Sequence, residues 1–133
     1  MSKGNKELSA AFTALFCGEG TPEDVFSSDV VFHGGRQGDL SGIDAVTSFI
    51  TGYRKAFPDN RSVVEDQIAE GNKVVTRWTS RGTHRGDLNG IAPTGKAMET
   101  SGVTIERIEG GRIVEVWVAK DDLGLLQQLG AVS

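Results

Sequence analysis

One cysteine in the chain leaves no partner for an internal disulfide and rules out any multi-cysteine metal centre. Long apolar runs are absent too. Nowhere do about 18 apolar residues stand together, as a membrane-crossing helix requires. The opening "MSKGNKELSA" lacks the apolar core of a secretory signal, which points to a cytoplasmic protein with no membrane contact. An excess of positive charge is likewise missing: 14 Lys and Arg stand against 18 Asp and Glu, a net charge of −4. The nearest basic group, Arg77, Arg81 and Arg85, is spread at strand spacing among acidic neighbours. A phosphate backbone would find no footprint there, so nucleic acid is excluded as a partner. No glycine-rich phosphate loop, nucleophile–base–orienter set or CxxC pair occurs. What is there suits a single domain over residues 1–133, long enough to bury a core without a metal or disulfide to hold it.

Hydrophobic periodicity divides the chain into helices first and strands after. Leu8, Phe12, Leu15 and Phe16 predict a helix over residues 4 to 17, ended by "GEG". "TPEDVF" predicts a short second helix, with Thr21 as cap and Pro22 at its first position. "DVVFHGG" reads as a strand stopped by Gly34 and Gly35. "LSGIDAVTSFITGYRKAF" predicts the longest helix, capped by Ser41, with Ile43, Val46, Phe49, Ile50, Tyr53 and Phe57 at helical spacing and Pro58 ending it. Beyond Asn60, four β-branched runs are separated by "EGN", "GIAPTGK" and "EGG", and a short leucine-rich helix closes the chain. Helices followed by an antiparallel meander define an α+β fold, with helices covering one face of the sheet.

Two-residue alternation along "RIVEVWVAKD" puts Ile113, Glu115, Trp117, Ala119 and Asp121 on one side and Val114, Val116, Val118 and Lys120 on the other. The second side carries three valines, too apolar for open water, and too few helices remain to cover it. A second copy of the chain would cover it, so a homodimer is expected.

The junction "KDDLGLLQQLG" holds two adjacent aspartates where an N-cap needs one. Asp122 is assigned to the cap and Asp121 to an apolar cavity shared with Trp117, where lost hydration would raise its pKa. Such an acid can remove a proton α to a carbonyl and return one to oxygen. His84 falls in register with Val74 and Trp78, unless Gly82 makes a bulge, and could polarise a carbonyl; an exposed strand-end histidine is the plain alternative. Tyr53 and Trp78 are candidates to line a pocket, although ordinary core packing explains most of the aromatics. His33, His84 and Asp121 lack metal-ligand spacing, so no metal is expected.

"YRKAFPDN", "RWTSRGTHRG", "GIAPTGK" and "WVAKDDLGLLQQLG" together resemble, in order and spacing, the SnoaL-like polyketide cyclases. That family belongs to the group of cone-shaped proteins that includes nuclear transport factor 2 and ketosteroid isomerase. The resemblance runs from about Leu8 to Leu129. It implies a cone-shaped curved antiparallel sheet, with N-terminal helices enclosing an apolar cavity, and pairing of two copies through the outer sheet face. The activity it implies is a cofactor-free intramolecular aldol cyclisation of a polyketide-derived, polycyclic or other apolar small molecule. Asp121 matches the cyclases' acid–base position, and His84 matches a pocket histidine. His33 lies where a polar group often lines the pocket, and Trp117 adjoins the acid on its strand. The cyclases carry a second pocket histidine where this chain has Thr104, a hydroxyl that binds substrate but does not titrate near neutrality. Isomerase, dehydratase or epoxide hydrolase chemistry, or ligand or partner binding without catalysis, are the other uses of such a cavity.

Overall fold

A computed structural model of the chain describes residues 4–34 and 38–132. Gly35, expected to help stop the first strand, lies outside them. Helix α1 spans Asn5–Leu15, and its buried Leu8, Phe12 and Leu15 return to one side of the helix as their spacing requires. The segment after it makes only one 3₁₀ turn, Pro22–Asp24, because the next two residues, Val25 and Phe26, are already buried in the core. Strand β1 follows at Phe26–His33, then a two-residue strand β2 at Leu40–Ser41. Helix α2 covers Ile43–Ala56. Its N-cap is Gly42, not Ser41, which is occupied pairing with Val31 of β1. Gly42 can take the position because its φ of +91° suits a residue without Cβ, and its N–H donates to Val30 O at 2.7 Å.

The remaining strands are β3 (Arg61–Glu70), β4 (Lys73–Thr83), β5 (Ala97–Glu109) and β6 (Arg112–Lys120), and helix α3 is Asp122–Gln128. Gly110 and Gly111 both have positive φ, as a two-residue hairpin turn between twisted strands demands. The strand order is β2-β1-β6-β5-β4-β3. From β3 to β6 the sheet is the expected antiparallel meander, but β1 lies parallel to β6, so the curved, unclosed sheet is mixed. Two apolar clusters fill its concave side. One joins α1 and α2 to β1, β4 and β6 around Phe12, Phe26, Phe32, Val46, Val74 and Val116. The other gathers Ala56, Phe57, Leu88, Met98, Leu125 and Leu129 beneath the loop between β4 and β5 and beneath α3.

The alternation read along β6 does not hold. Arg107 pairs with Glu115 and Ile108 with Ile113, leaving Val114 as an extra residue with no partner on β5. Such a bulge switches which side successive residues face. Ile113 and Val116 are consequently both fully buried in the core, and Val118 and Lys120 point to the same concave side. Glu115, Trp117 and Ala119 face outward. The valine face expected to meet a second copy is therefore the core face. The outer face instead carries a cross-sheet row that the pairing aligns as Ile68, Val75, Ile105, Trp117 and His33, with Ile68 70 % exposed.

Candidate active site

A pocket opens between the helices and the concave side of the sheet. Phe12, Thr13 and Phe16 come from α1, Phe49 and Tyr53 from α2, Trp78 and Ser80 from β4, Thr100 and Thr104 from β5, Val118 and Lys120 from β6, and Leu125 from α3. Its space, counted with its mouth, is about 740 Å³, yet only a small part of it admits the centre of a water molecule, so the pocket is narrow. Its width depends on Gly102. A Cβ there would stand 2.5 Å from the Trp78 ring, and only glycine lets the indole lie flat across β5. Thr100 and Thr104 flank this bare position on the same side of the strand.

The walls are apolar and the polar groups few, the usual composition of a small-molecule site. The Thr100 hydroxyl is buried without a hydrogen-bond partner among the described residues. Burial pushes the Tyr53 phenol well above its ordinary pKa, against the opposing pull of its hydrogen bond with Ser80. Ser80 Oγ lies 2.6 Å from Ser62 Oγ, to which Asn60 Nδ2 donates at 3.0 Å. Lys120 brings a cation to the rim: its Nζ stands 5.5 Å from the Phe49 ring centre, 5.9 Å from that of Tyr53, and 3.7 Å from Asp122. Sequence reasoning missed Lys120, Thr100 and Ser80. The bulge hides the first, and threonine and serine within a strand give no signal of their own.

Of the residues singled out from the sequence, Tyr53, Trp78 and Thr104 meet in this pocket. The others do not line it. The cap expected of Asp122 is provided by Asp121, and neither aspartate lines the cavity. Asp121 is the exposed N-cap of α3, its Oδ1 accepting from Gly124 N at 2.9 Å, while Asp122 opens the helix and pairs with Lys120. The reason is geometric: the strand runs through Lys120, so Asp121 is the first residue with non-helical angles before the helix, where a cap belongs. His84 is in register with Val74 and Trp78 as expected and is fully buried, but beyond the end of the pocket, against Phe57 at 5.6 Å. Its Nδ1 accepts from Thr94 N at 3.2 Å, which places the ring proton on Nε2, and Nε2 has no partner among the described residues. His33 and Trp117 stack on the outer face at 5.5 Å: the bulge turns Trp117 away from the cavity, and alternation along β1 puts His33 opposite the buried Phe32. There His33 bridges Glu115 at 2.6 Å and Asp39 at 3.0 Å; the hydrogen bond to Glu115 foremost, then that to Asp39, raises its pKa. No cluster of metal-ligating side chains exists among the described residues, nor any helix long and apolar enough to cross a membrane.

A curved, unclosed α+β sheet with helices on its concave side defines the class: a fold of the nuclear transport factor 2 and ketosteroid isomerase type. Within that class the chain belongs to the SnoaL-like polyketide cyclase family, whose profile matches residues 20–129. A candidate polyketide cyclase from Acidithiobacillus ferrooxidans is 28 % identical over 100 % of this chain and 99 % of its own, with a TM-score of 0.82. IdmH, a candidate polyketide cyclase of Streptomyces antibioticus, is 27 % identical with a TM-score of 0.80, covering 96 % of this chain and 99 % of its own. AclR from Streptomyces galilaeus, a candidate hydroxylase, is 28 % identical over 97 % of this chain and 86 % of its own, with a TM-score of 0.83. No curated protein matches by sequence.

Proposed function

We propose that this protein is a cyclase-like enzyme that closes a ring in a small, apolar, carbonyl-bearing molecule of polyketide or polycyclic type by an aldol step. The observation that carries this reading is the narrow apolar pocket lined by a few hydrogen-bonding groups, among them Tyr53, Thr100 and Thr104, and by the cation of Lys120. In an aldol closure a base removes a proton α to one carbonyl, and the enolate carbon attacks a second carbonyl. The resulting alkoxide then takes up a proton. Hydroxyl donors and an ammonium in a largely dry site stabilise the oxygen on which charge develops. The family's acid–base position falls on Asp121. It follows Lys120 of the pocket rim in the chain and caps the helix whose Leu125 lines the pocket. To reach a substrate its carboxylate must leave the Gly124 N–H, so turnover would be coupled to loosening of the first turn of α3. His84, matched by the resemblance to a pocket histidine, would take part only if a substrate reached past Phe57 to its buried Nε2. The chemistry calls for no cofactor.

The test is ring closure of a poly-β-keto ester by the purified protein and by Asp121→Asn. An aldol closure conserves mass, whereas a dehydratase removes one water and an epoxide hydrolase adds one, so mass spectrometry separates those two; an isomerisation also conserves mass and is told apart by the new ring carbon–carbon bond, read by carbon NMR of the product. Turnover lost in Asp121→Asn with the fold and ligand affinity retained supports the reading; unchanged turnover removes Asp121 from it. The capped state of Asp121 favours a second reading, ligand binding without catalysis. In that case Asp121→Asn would leave ligand affinity untouched and there would be no turnover to lose. A homodimer through the outer row around Trp117 is part of the same proposal.

A further inference from the structure

One carboxyl group has no role in the chemistry above, and it lies on the strand that brings Thr100 and Thr104 to the pocket. Glu106 sits on β5 two residues beyond Thr104 and faces the same concave side. It is fully buried, with the equally buried Val74 and Val116 as its cross-strand neighbours. A buried carboxyl retained in an apolar wall is costly unless its oxygens are satisfied.

A chain of hydrogen bonds satisfies one of them, and its direction is fixed. Gln67 Nε2, an amide nitrogen that can only donate, gives hydrogen bonds to Lys6 O at 3.0 Å and to Thr76 Oγ1 at 3.2 Å. Ser9 spends its single hydroxyl proton on Glu106 Oε1, so across the 2.6 Å contact between Ser9 Oγ and Thr76 Oγ1 it is Thr76 that donates. Oε1 is thus an acceptor. Oε2 has no hydrogen-bond partner of its own. A proton on this carboxyl belongs on Oε2, and the polar side chain nearest along the same side of β5 is Thr104, two residues back, whose hydroxyl helps to hold the carboxyl pKa down. Thr104 in turn lines the pocket.

We propose that Glu106 is a positioning residue that sets the polarity of the Thr104 hydroxyl toward the pocket ligand. With Oε2 protonated, Oε2–H donates to Thr104 Oγ1, and Thr104 directs its own proton at a ligand carbonyl or enolate oxygen. With Glu106 ionised, Thr104 donates back to the carboxylate and offers the pocket only lone pairs. No covalent bond to the ligand is made or broken. One proton taken from solvent switches a donor for carbonyl oxygen on or off. Burial raises the Glu106 pKa from 4.5 to about 6, and the Ser9 and Thr104 hydroxyls restrain the shift. Gln67 of β3, Thr76 and Val74 of β4, Ser9 of α1 and Val116 of β6 surround the group, and no charged side chain contributes to its shift. The switch therefore works in the mildly acidic range.

This inference deepens the proposed carbonyl site, but its test needs no turnover. The first measurement follows the Glu106 carboxyl carbon by NMR through a pH titration. The midpoint should stand near 6 in the wild type and rise in Thr104→Val, which removes a hydrogen bond to the charged form. A midpoint at the ordinary 4.5, or one that Thr104→Val leaves unmoved, overturns the coupling. The second measures binding of 1-tetralone, a neutral bicyclic ketone, and of tetralin, which lacks the carbonyl, between about pH 5 and 7. If the protonated form alone binds the ketone, affinity should fall about tenfold over that range, in proportion to the protonated fraction. The slope should vanish in Glu106→Gln and in Thr104→Val, and tetralin should show none. A pH-independent affinity for the ketone, or no binding, overturns the proposal. Absence of ring-closing activity would sink the catalytic reading and leave both of these results standing.

Discussion

At the scale of single residues, the acids at the pocket divide by what surrounds each. Glu106 is legible in the sequence only as one more alternating residue of a β-branched run. Its burial depends on Ser9, nearly a hundred positions earlier, and no local pattern reports such a partner. The linkage has a definite sign. A folded-state pKa raised from 4.5 to about 6 means that the native state holds the proton more tightly than the unfolded chain. The native state is thus favoured at low pH, and stability declines as pH rises from about 4.5 through about 6. That decline should amount to ~2 kcal/mol, and urea unfolding of Glu106→Gln should lack it. Asp121 is the opposite case, since "DDLG" announces a cap and the only error was which aspartate provides it. Asp121→Ala should cost ~1 kcal/mol in urea unfolding, while Asp121→Asn should stay close to wild type, because asparagine caps as well as aspartate. The second substitution is thus a clean test of chemistry, and the first is not.

At the scale of elements, the long helix α2 followed from its apolar period, and β4 and β5 from β-branched runs that pair without a bulge between them; Trp78, Tyr53 and Thr104 came to the pocket with them. The errors fell where tertiary structure overrides a local period. Ser41 yields the cap to Gly42 because the short β2 claims it, and β6 departs from alternation at Val114. The connection between β4 and β5 illustrates a different dependence. Arg85 N and Gly86 N both donate to Ala56 O at the end of α2, at 2.9 and 3.2 Å. A Cβ on Gly86 would stand 2.1 Å from Lys55 O, a backbone atom that cannot swing aside. Gly86→Ala should therefore push the loop off α2. It would uncover His84 and Leu88, and limited proteolysis should then cut between residues 85 and 96 faster than in the wild type.

At the scale of the whole molecule, the family and the cone were legible because their motifs extend along nearly the entire chain, whereas the face by which copies would meet was not. The outer row of Ile68, Val75, Ile105 and Trp117 is flanked by ion pairs, Arg77 with Asp66 and Arg107 with Glu115. An apolar stripe with a charged rim has the form of an interface core. Ile105→Glu should convert a dimer to a folded monomer, read by light scattering on a sizing column with an unchanged circular dichroism spectrum. His33, at the end of the row, reports on the same face. Glu115→Gln should lower its titration midpoint toward 6.5, because the largest cause of its elevation is then gone.

The unpaired Val114 gives β6 something like a reading frame. Every residue after it is assigned inside or outside by whether that one position is present, independently of what the residues are. Deleting Val114 would exchange the two sets at a stroke, bringing Glu115, Trp117 and Ala119 into the cavity and moving Val118 and Lys120 to the outer surface. Two relatives that keep identical residues in the last strand, but differ by this one position, would have different pockets and different surfaces. Residue-by-residue transfer of function along this strand is sound only after the frame has been established.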